Sequence, residues 1–170
     1  MKKILVFLIV ITTSFGCHCK KAAVADAKKH TAKIIKDCAE NAVCTEDIFK
    51  DSALEIATDG ADKPYYTIVA QPGTTVYRYQ MAENQDQQYL DGGYREELIF
   101  QLPSDFQPGT VSGKQIFETK ALFGVFCYCK GKAGYYTLKA GKITKTDKEI
   151  TLEIPKVVED QKVFTHTFKL

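Results

Sequence analysis

The chain lacks most of the features from which a function is usually read. It carries no excess of charge: the formal charge is +2, Lys2 and Lys3 supply it, and from residue 17 onward 21 basic side chains face 21 acidic ones. Net charge therefore does not suggest a polyanion-binding surface, and no nucleic-acid partner is expected. Beyond the first 16 residues no apolar run approaches the roughly 20 residues of a membrane-spanning helix. There is no G-x-S-x-G, no H-E-x-x-H and no Gly-rich phosphate loop. Histidine is scarce, with His18, His30 and His166 only. A nucleophile needs a base and a group to orient that base, and three scattered imidazoles are a thin supply. No internal repeat or low-complexity tract appears.

What is present starts with an address. Residues 1–16 join Lys2 and Lys3 to an apolar stretch from Ile4 to Ile11 and then to Ser14 and Gly16, the pattern of a removable export signal. Cys17 follows, and a cysteine at that place looks like a bacterial lipobox, although Ser14 and Phe15 stand where an aliphatic and a small residue are usual. Acylation of Cys17 is expected, with residues 17–23 as a tether and a membrane reached through the lipid anchor. Lys20 and Lys21 lack the acidic character of surface-export tags, which points to the periplasmic face of the outer membrane.

The remaining residues, 24–170, are enough for one domain with a real core, and 17 of the chain's 19 Phe and Tyr residues supply the burial. The spacing of Val24, Ala27, Thr31, Ile34, Ile35 and Cys38 predicts an N-terminal amphipathic helix over 24–38. After Cys44 the apolar period becomes two. Tyr65–Val69 and Thr75–Tyr79 read as a hairpin turned at Pro72-Gly73. Further strands are expected at 95–100, 115–119, 122–129, 134–139, 142–144, 149–154 and 163–169, with loops at 83–93 and 103–113. Closely spaced strands of this kind predict a mainly β fold, an antiparallel β-sandwich or small barrel carrying one N-terminal α-helix.

Six cysteines stand at 17, 19, 38, 44, 127 and 129, and in an exported chain disulfides are the first reading. Cys127 and Cys129 at i and i+2 of a strand are expected to find separate partners, and Cys38 and Cys44 are available, which would staple the N-terminal segment to a central strand. Four thiolates holding zinc or Cu(I) are the alternative, disfavoured because structural zinc sites use knuckles on turns. No metal or cofactor is assigned.

Among polar groups, Glu96 should share the inner face of its strand with Leu98 and Phe100, leaving Glu97 outside with Arg95. A semi-buried Glu96 needs a partner, and a structural ion pair with Arg78 is expected. A catalytic carboxylate, Glu96 or Asp91, is the competing idea, with no second convergent carboxylate assigned. Tyr89, Tyr94 and Asp91 in the polar loop are candidates for an exposed binding patch. His166, alternating with Phe164 and Phe168, reads as a satisfied core histidine.

Tyr94-Arg95-Glu96-Glu97, then Leu122-Phe123-Gly124-Val125-Phe126-Cys127-Tyr128-Cys129 and Gly134-Tyr135-Tyr136, resemble a family of small lipoproteins from Bacteroidota. The likeness spans most of Cys38 to Ile143 and implies the lipoprotein address and the four-cysteine pattern, but no catalytic residue. Members usually carry Arg where Val125 stands here. Taken together, the expectation is an envelope lipoprotein acting as a non-catalytic binding or accessory module, inhibitor- or immunity-like, whose partner is another envelope or secreted protein. A carboxylate-using envelope hydrolase and a thiol metal carrier are the alternatives.

Overall fold

The computed structural model describes residues 30–35, 38–84 and 93–170. Among these residues ten strands form two antiparallel sheets. The larger sheet has the order β1-β2-β3-β4-β6-β7, built from His30–Ile35, Ala42–Thr58, Pro64–Glu83, Arg95–Pro103, Leu122–Phe126 and Gly134–Thr137. The smaller has the order β10-β9-β8-β5, built from Thr165–Lys169, Glu149–Glu153, Lys142–Lys145 and Gly109–Ser112. The fold is mainly β and sandwich-like, with no closed barrel.

Strand β4 lies at the centre of this arrangement and is buried on both faces from Glu96 to Phe100. Its even-numbered residues Leu98, Phe100 and Leu102 meet Ile143, Ile150, Leu152 and Phe168 of the smaller sheet in the main core. Phe168 packs edge-on against both Tyr77 and Phe100, and each such buried ring stabilises the fold by about 1.5–3 kcal/mol. The odd-numbered face should be solvated in a two-layer sandwich. It is not, because the β2–β3 hairpin is far longer than its neighbours and folds back over it.

The fold-back begins where Asp51 of β2 faces four residues of β3, 71–74, between the pairs Lys50 with Thr75 and Ser52 with Ala70. Such a bulge bends the ladder. Gly73 takes φ +82° there, and its N–H donates to Asp51 Oδ1 at 3.2 Å. Pro72-Gly73 therefore bends one continuous strand and does not turn a hairpin; the turn lies at 59–63, where Asp59 accepts N–H bonds from Ala61 and Lys63. Beyond the bend the arm lies across β4, β6 and β7, so that Leu54, Val76, Ile99 and Leu122 form a second buried cluster with Tyr66, Ile68 and Tyr135 against it.

Two other expectations are corrected. Residues 30–35 of the expected helix form β1, paired with β2 from His30–Phe49 to Ile35–Cys44; residues 24–29 and 36–37 lie outside the described residues. The β-branched pair at Ile34 and Ile35 and the open edge of β2 outweigh a thin helical stripe. Gln115–Thr119 belongs to a 3-10 helix, Gly113–Thr119, and not to a strand. Its buried residues, Ile116 and Thr119, are three apart, the period of that helix and not of a strand. The strand of this region is β5, inside the expected loop.

His166 in β10 reaches across the sandwich to the larger sheet. Its Nε2 is 2.7 Å from Glu46 Oε1, and its ring stacks on Tyr79 with centroids 3.7 Å apart. Burial holds the imidazole pKa below its ordinary value, against the opposing pull of the Glu46 carboxylate, while Lys33 adds to the lowering. The folded state thus takes up this proton less readily than the unfolded chain, so stability should fall as pH drops below about 6.5, the ordinary imidazole value. Thermal melts between pH 7.5 and pH 5 should show that slope, and His166→Gln should flatten it; an unchanged slope would show that other groups set it.

A second test concerns the arm. In the row Gln80, Glu97, Gly124, Tyr135 across β3, β4, β6 and β7, a Cβ on Gly124 would stand 2.6 Å from Tyr135 Cε1 and 2.8 Å from Phe126 Cε2. Gly124→Ala should cost about 1–3 kcal/mol by overpacking. Gly60→Ala, in the arm's turn with nothing within 4 Å, should stay within about 0.5 kcal/mol. Urea denaturation measures both.

Candidate functional site

The end of the sandwich where β4 begins and β6 ends gathers the polar and sulfur chemistry. Glu96 is fully buried. Its Oε2 accepts the Val163 N–H at 2.6 Å, and its Oε1 accepts the Lys162 N–H at 2.7 Å together with the Tyr94 hydroxyl. The segment 155–164 between β9 and β10 is thereby tied to β4. Gln161 shapes the same strap from within, accepting the Val157 N–H at 2.6 Å and donating to the Val163 carbonyl at 2.8 Å. Tyr94 also lies 3.1 Å from the Asp160 carbonyl. Burial first, and the Glu96 carboxylate second, push its phenol pKa well above the ordinary value.

Glu96 and Arg78 do not pair. Glu96 is opposite Met81, while Arg78 is opposite Ile99, so the two side chains leave the sheet on opposite faces. Arg78 donates from Nε and Nη2 to Asp47 Oδ2 at 2.9 and 2.7 Å, and His30 reaches the other oxygen of the same carboxylate at 2.8 Å. Glu97 is not outside with Arg95 either. It is 1% exposed, enclosed by the arm, and accepts from Tyr66 OH at 2.7 Å, Tyr135 OH at 2.9 Å and Gln80 Nε2 at 2.5 Å. Burial, then the Glu97 carboxylate, raises the Tyr66 and Tyr135 phenols.

The sulfur pairing is local. Cys38 is bonded to Cys44 with Cα atoms 6.1 Å apart, and Cys127 to Cys129 with Cα atoms 5.1 Å apart. The expected crosswise bridges fail on geometry: β3 and β4 separate β2 from β6, which puts about 14 Å between the outer two at 4.8 Å per strand, twice the span a disulfide bridges. Strand β6 ends at Phe126, and the chain bends at Cys127, so the two sulfurs approach as they would not in an extended strand. Among the described residues no group of three or more His, Cys, Asp or Glu is placed to hold a metal ion.

Two open cavities flank the Cys127–Cys129 turn, and a third adjoins them at Glu83. One of about 420 Å³ runs along Tyr94, Arg95, Phe126 and Tyr128. A second, of about 220 Å³, is lined by Val125, both cysteines, Lys132 and Lys162. The third, about 360 Å³, passes Cys38, Met81 and Phe164, and Glu83 borders all three. The Arg95 guanidinium lies over the Phe126 ring at 4.2 Å, and Lys162 Nζ lies 5.0 Å from the Tyr94 centroid while pairing with Glu83. Lys132 pairs with Asp160 at 2.8 Å. Tyr128, between the bonded cysteines, is 94% exposed.

Of the expected site residues, Tyr94 is at this rim, half-buried and hydrogen-bonded. Cys17, Tyr89 and Asp91 lie outside the described residues. Arg95, Phe126, Tyr128 and Lys162 were not among the sequence candidates; the signal that could have found Tyr128 is the run Lys130-Gly131-Lys132-Ala133-Gly134, which places Cys127–Cys129 at a turn and not inside a strand. No protein-family model, no curated protein and no solved structure matches this chain.

Because Glu96 holds two main-chain N–H groups from another segment, Glu96→Ala leaves buried donors without an acceptor and should cost on the order of 3 kcal/mol. Glu96→Gln, which retains one acceptor oxygen, should cost less. Amide hydrogen exchange at Lys162 and Val163 should accelerate in both variants ahead of the core strands. Unchanged exchange there would refute the strap.

Proposed function

We propose that the chain is a protein-binding module of the bacterial envelope, held at the membrane by an acylated Cys17 and engaging its partner through the cystine end of the sandwich. The observation that carries this reading is Tyr128, displayed almost entirely in solvent on a turn closed by a disulfide, beside a groove it lines with Tyr94, Arg95 and Phe126. Tyrosine supplies large amphipathic contact area and is enriched among residues that dominate interface energies. A turn locked by a covalent bond has less conformational freedom to lose on association, which favours affinity. The stacked Arg95 and Phe126 beside it add a second recognition pair. The export signal, the lipobox-like cysteine and the likeness to envelope lipoproteins support the location.

A carboxylate hydrolase is the weaker reading. A general acid has to reach the substrate, and Glu96 has both oxygens engaged beneath the strap while Glu97 is enclosed by the arm. The four-thiolate carrier is weaker again, since these sulfurs are bonded in pairs.

The exported chain, immobilised and exposed to solubilised envelope proteins, identifies the partner by mass spectrometry, and titration with that purified partner then supplies the test. Tyr128→Ala should weaken binding at least tenfold and Arg95→Ala by less. Tyr65→Ala, at an exposed position on the arm, should leave affinity unchanged. Equal loss at Tyr65, or none at Tyr128, would remove the cystine end as the contact surface.

A further inference from the structure

The two disulfides differ in ways that stabilisation does not explain. Cys38–Cys44 joins positions six apart and ends on Cys44, which is fully buried and accepts a hydrogen bond from the Tyr79 hydroxyl at 3.0 Å. Cys127–Cys129 joins positions two apart. Loop-closure entropy grows with the number of residues enclosed, so a bond across a single intervening residue constrains the unfolded chain least. Strand β6 is already paired on both sides and needs no staple. Both cysteines of this bond are partly exposed: they pack against the main core on one side and line the 220 Å³ cavity on the other, and Cys127 also lines the 420 Å³ one. Lys132 and Lys162 stand in the wall of the smaller cavity, balanced by Asp160 and Glu83.

We propose that Cys127–Cys129 is a thiol–disulfide exchange site whose client is a protein segment bearing two thiols, docked against Tyr128. The step is balanced within the pair of partners. A client thiolate attacks one sulfur, the Cys127–Cys129 bond breaks, a mixed disulfide forms, and the released thiolate takes up a proton. The client's second thiolate then attacks the client sulfur of that mixed disulfide. A client disulfide forms and the remaining cysteine leaves as a thiol. The client loses two electrons and two protons; the chain gains them. Accessible, weakly constrained disulfides are the ones that exchange, whereas buried structural ones resist. This inference rests on the docking reading for its client but not for its chemistry.

The test uses the folded, oxidised protein in glutathione buffers of graded composition, quenched in acid and alkylated, with the state of each cysteine read by peptide mass. Cys127–Cys129 should be half reduced at a GSH²/GSSG ratio at least tenfold below that for Cys38–Cys44, with the far-ultraviolet circular dichroism still native. Under argon, a reduced synthetic peptide carrying two cysteines should be oxidised in a one-to-one ratio with the chain, and the double variant Cys127→Ser, Cys129→Ser should abolish this. Reduction of both bridges together as the dichroism signal is lost would overturn the proposal. So would peptide oxidation that survives in the double variant. The two readings fail separately. A double variant that still binds the envelope partner leaves docking intact without exchange, and Tyr128→Ala that exchanges with glutathione and peptide as the parent does leaves exchange intact without docking at Tyr128.

Discussion

A carboxylate removed from water is tolerated only where donors replace the water, and β4 carries two such groups in succession, aimed in opposite directions. Glu96 faces the smaller sheet and takes main-chain N–H groups from the strap that leads into β10. Glu97 faces the arm and takes two phenols and an amide. Each therefore joins a different layer to the same strand. A strand buried on both faces ordinarily reads as continuously apolar, and the polar exceptions here are what specify which segments cover it. Removing either acceptor leaves donors stranded in a dry interface, a heavier loss than one ordinary hydrogen bond.

The same arrangement bounds the open cystine end, the surface proposed for recognition. The arm covers the outer face as far as Tyr66 and Tyr135, and Gly124, lacking a side chain, lets the Tyr135 ring lie flat enough for its hydroxyl to reach Glu97. Two residues further towards the end of the sheet, on the same face, Arg95 and Phe126 are opposite one another. On the other face the strap runs past the sheet end and supplies Lys162 and Asp160 to the rim. The open surface is thus bounded by two elements, each held by a buried carboxylate. Its geometry follows from the core.

Much of this was readable from local pattern and some was not. The alternation of Ile150, Leu152 and Ile154 places them inward, and all three are buried in the main core. Parity along β4 likewise puts Glu96 inward with Leu98 and Phe100. Parity also puts Glu97 on the opposite face, but exposure does not follow, because the arm that covers that face belongs to strands some 30 to 40 residues earlier in the chain. Whether Glu96 can reach Arg78 depends on register across β3 and β4, which hydrophobic period leaves open by a residue in either direction and so by a whole face. Pro72-Gly73 is a strong turn signal, yet the same backbone freedom serves a bulge, and the pairing partner decides between them. Cysteine spacing bounds which bridges are possible without choosing among them; strand order chooses.

That the bridges are short bears on what they are for. Small exported domains lean on disulfides when their cores are too small to hold them together, and there the bridges span long stretches of chain. Here two sheets and an arm bury Phe100, Phe123, Phe168 and a run of aliphatic side chains completely, and both covalent links join cysteines close in sequence, six and two residues apart. Cys44 is part of the core, so its bridge fixes the corner between β1 and β2 as any packed pair of side chains would. Cys127 and Cys129 sit past the end of β6, packed against the rim of the core but partly exposed, and their bond closes the turn that carries Tyr128. A fold that already stands on its hydrophobic layers and its two buried carboxylates does not need this second disulfide as a staple, which is the condition that the proposed recognition and exchange at the cystine end require.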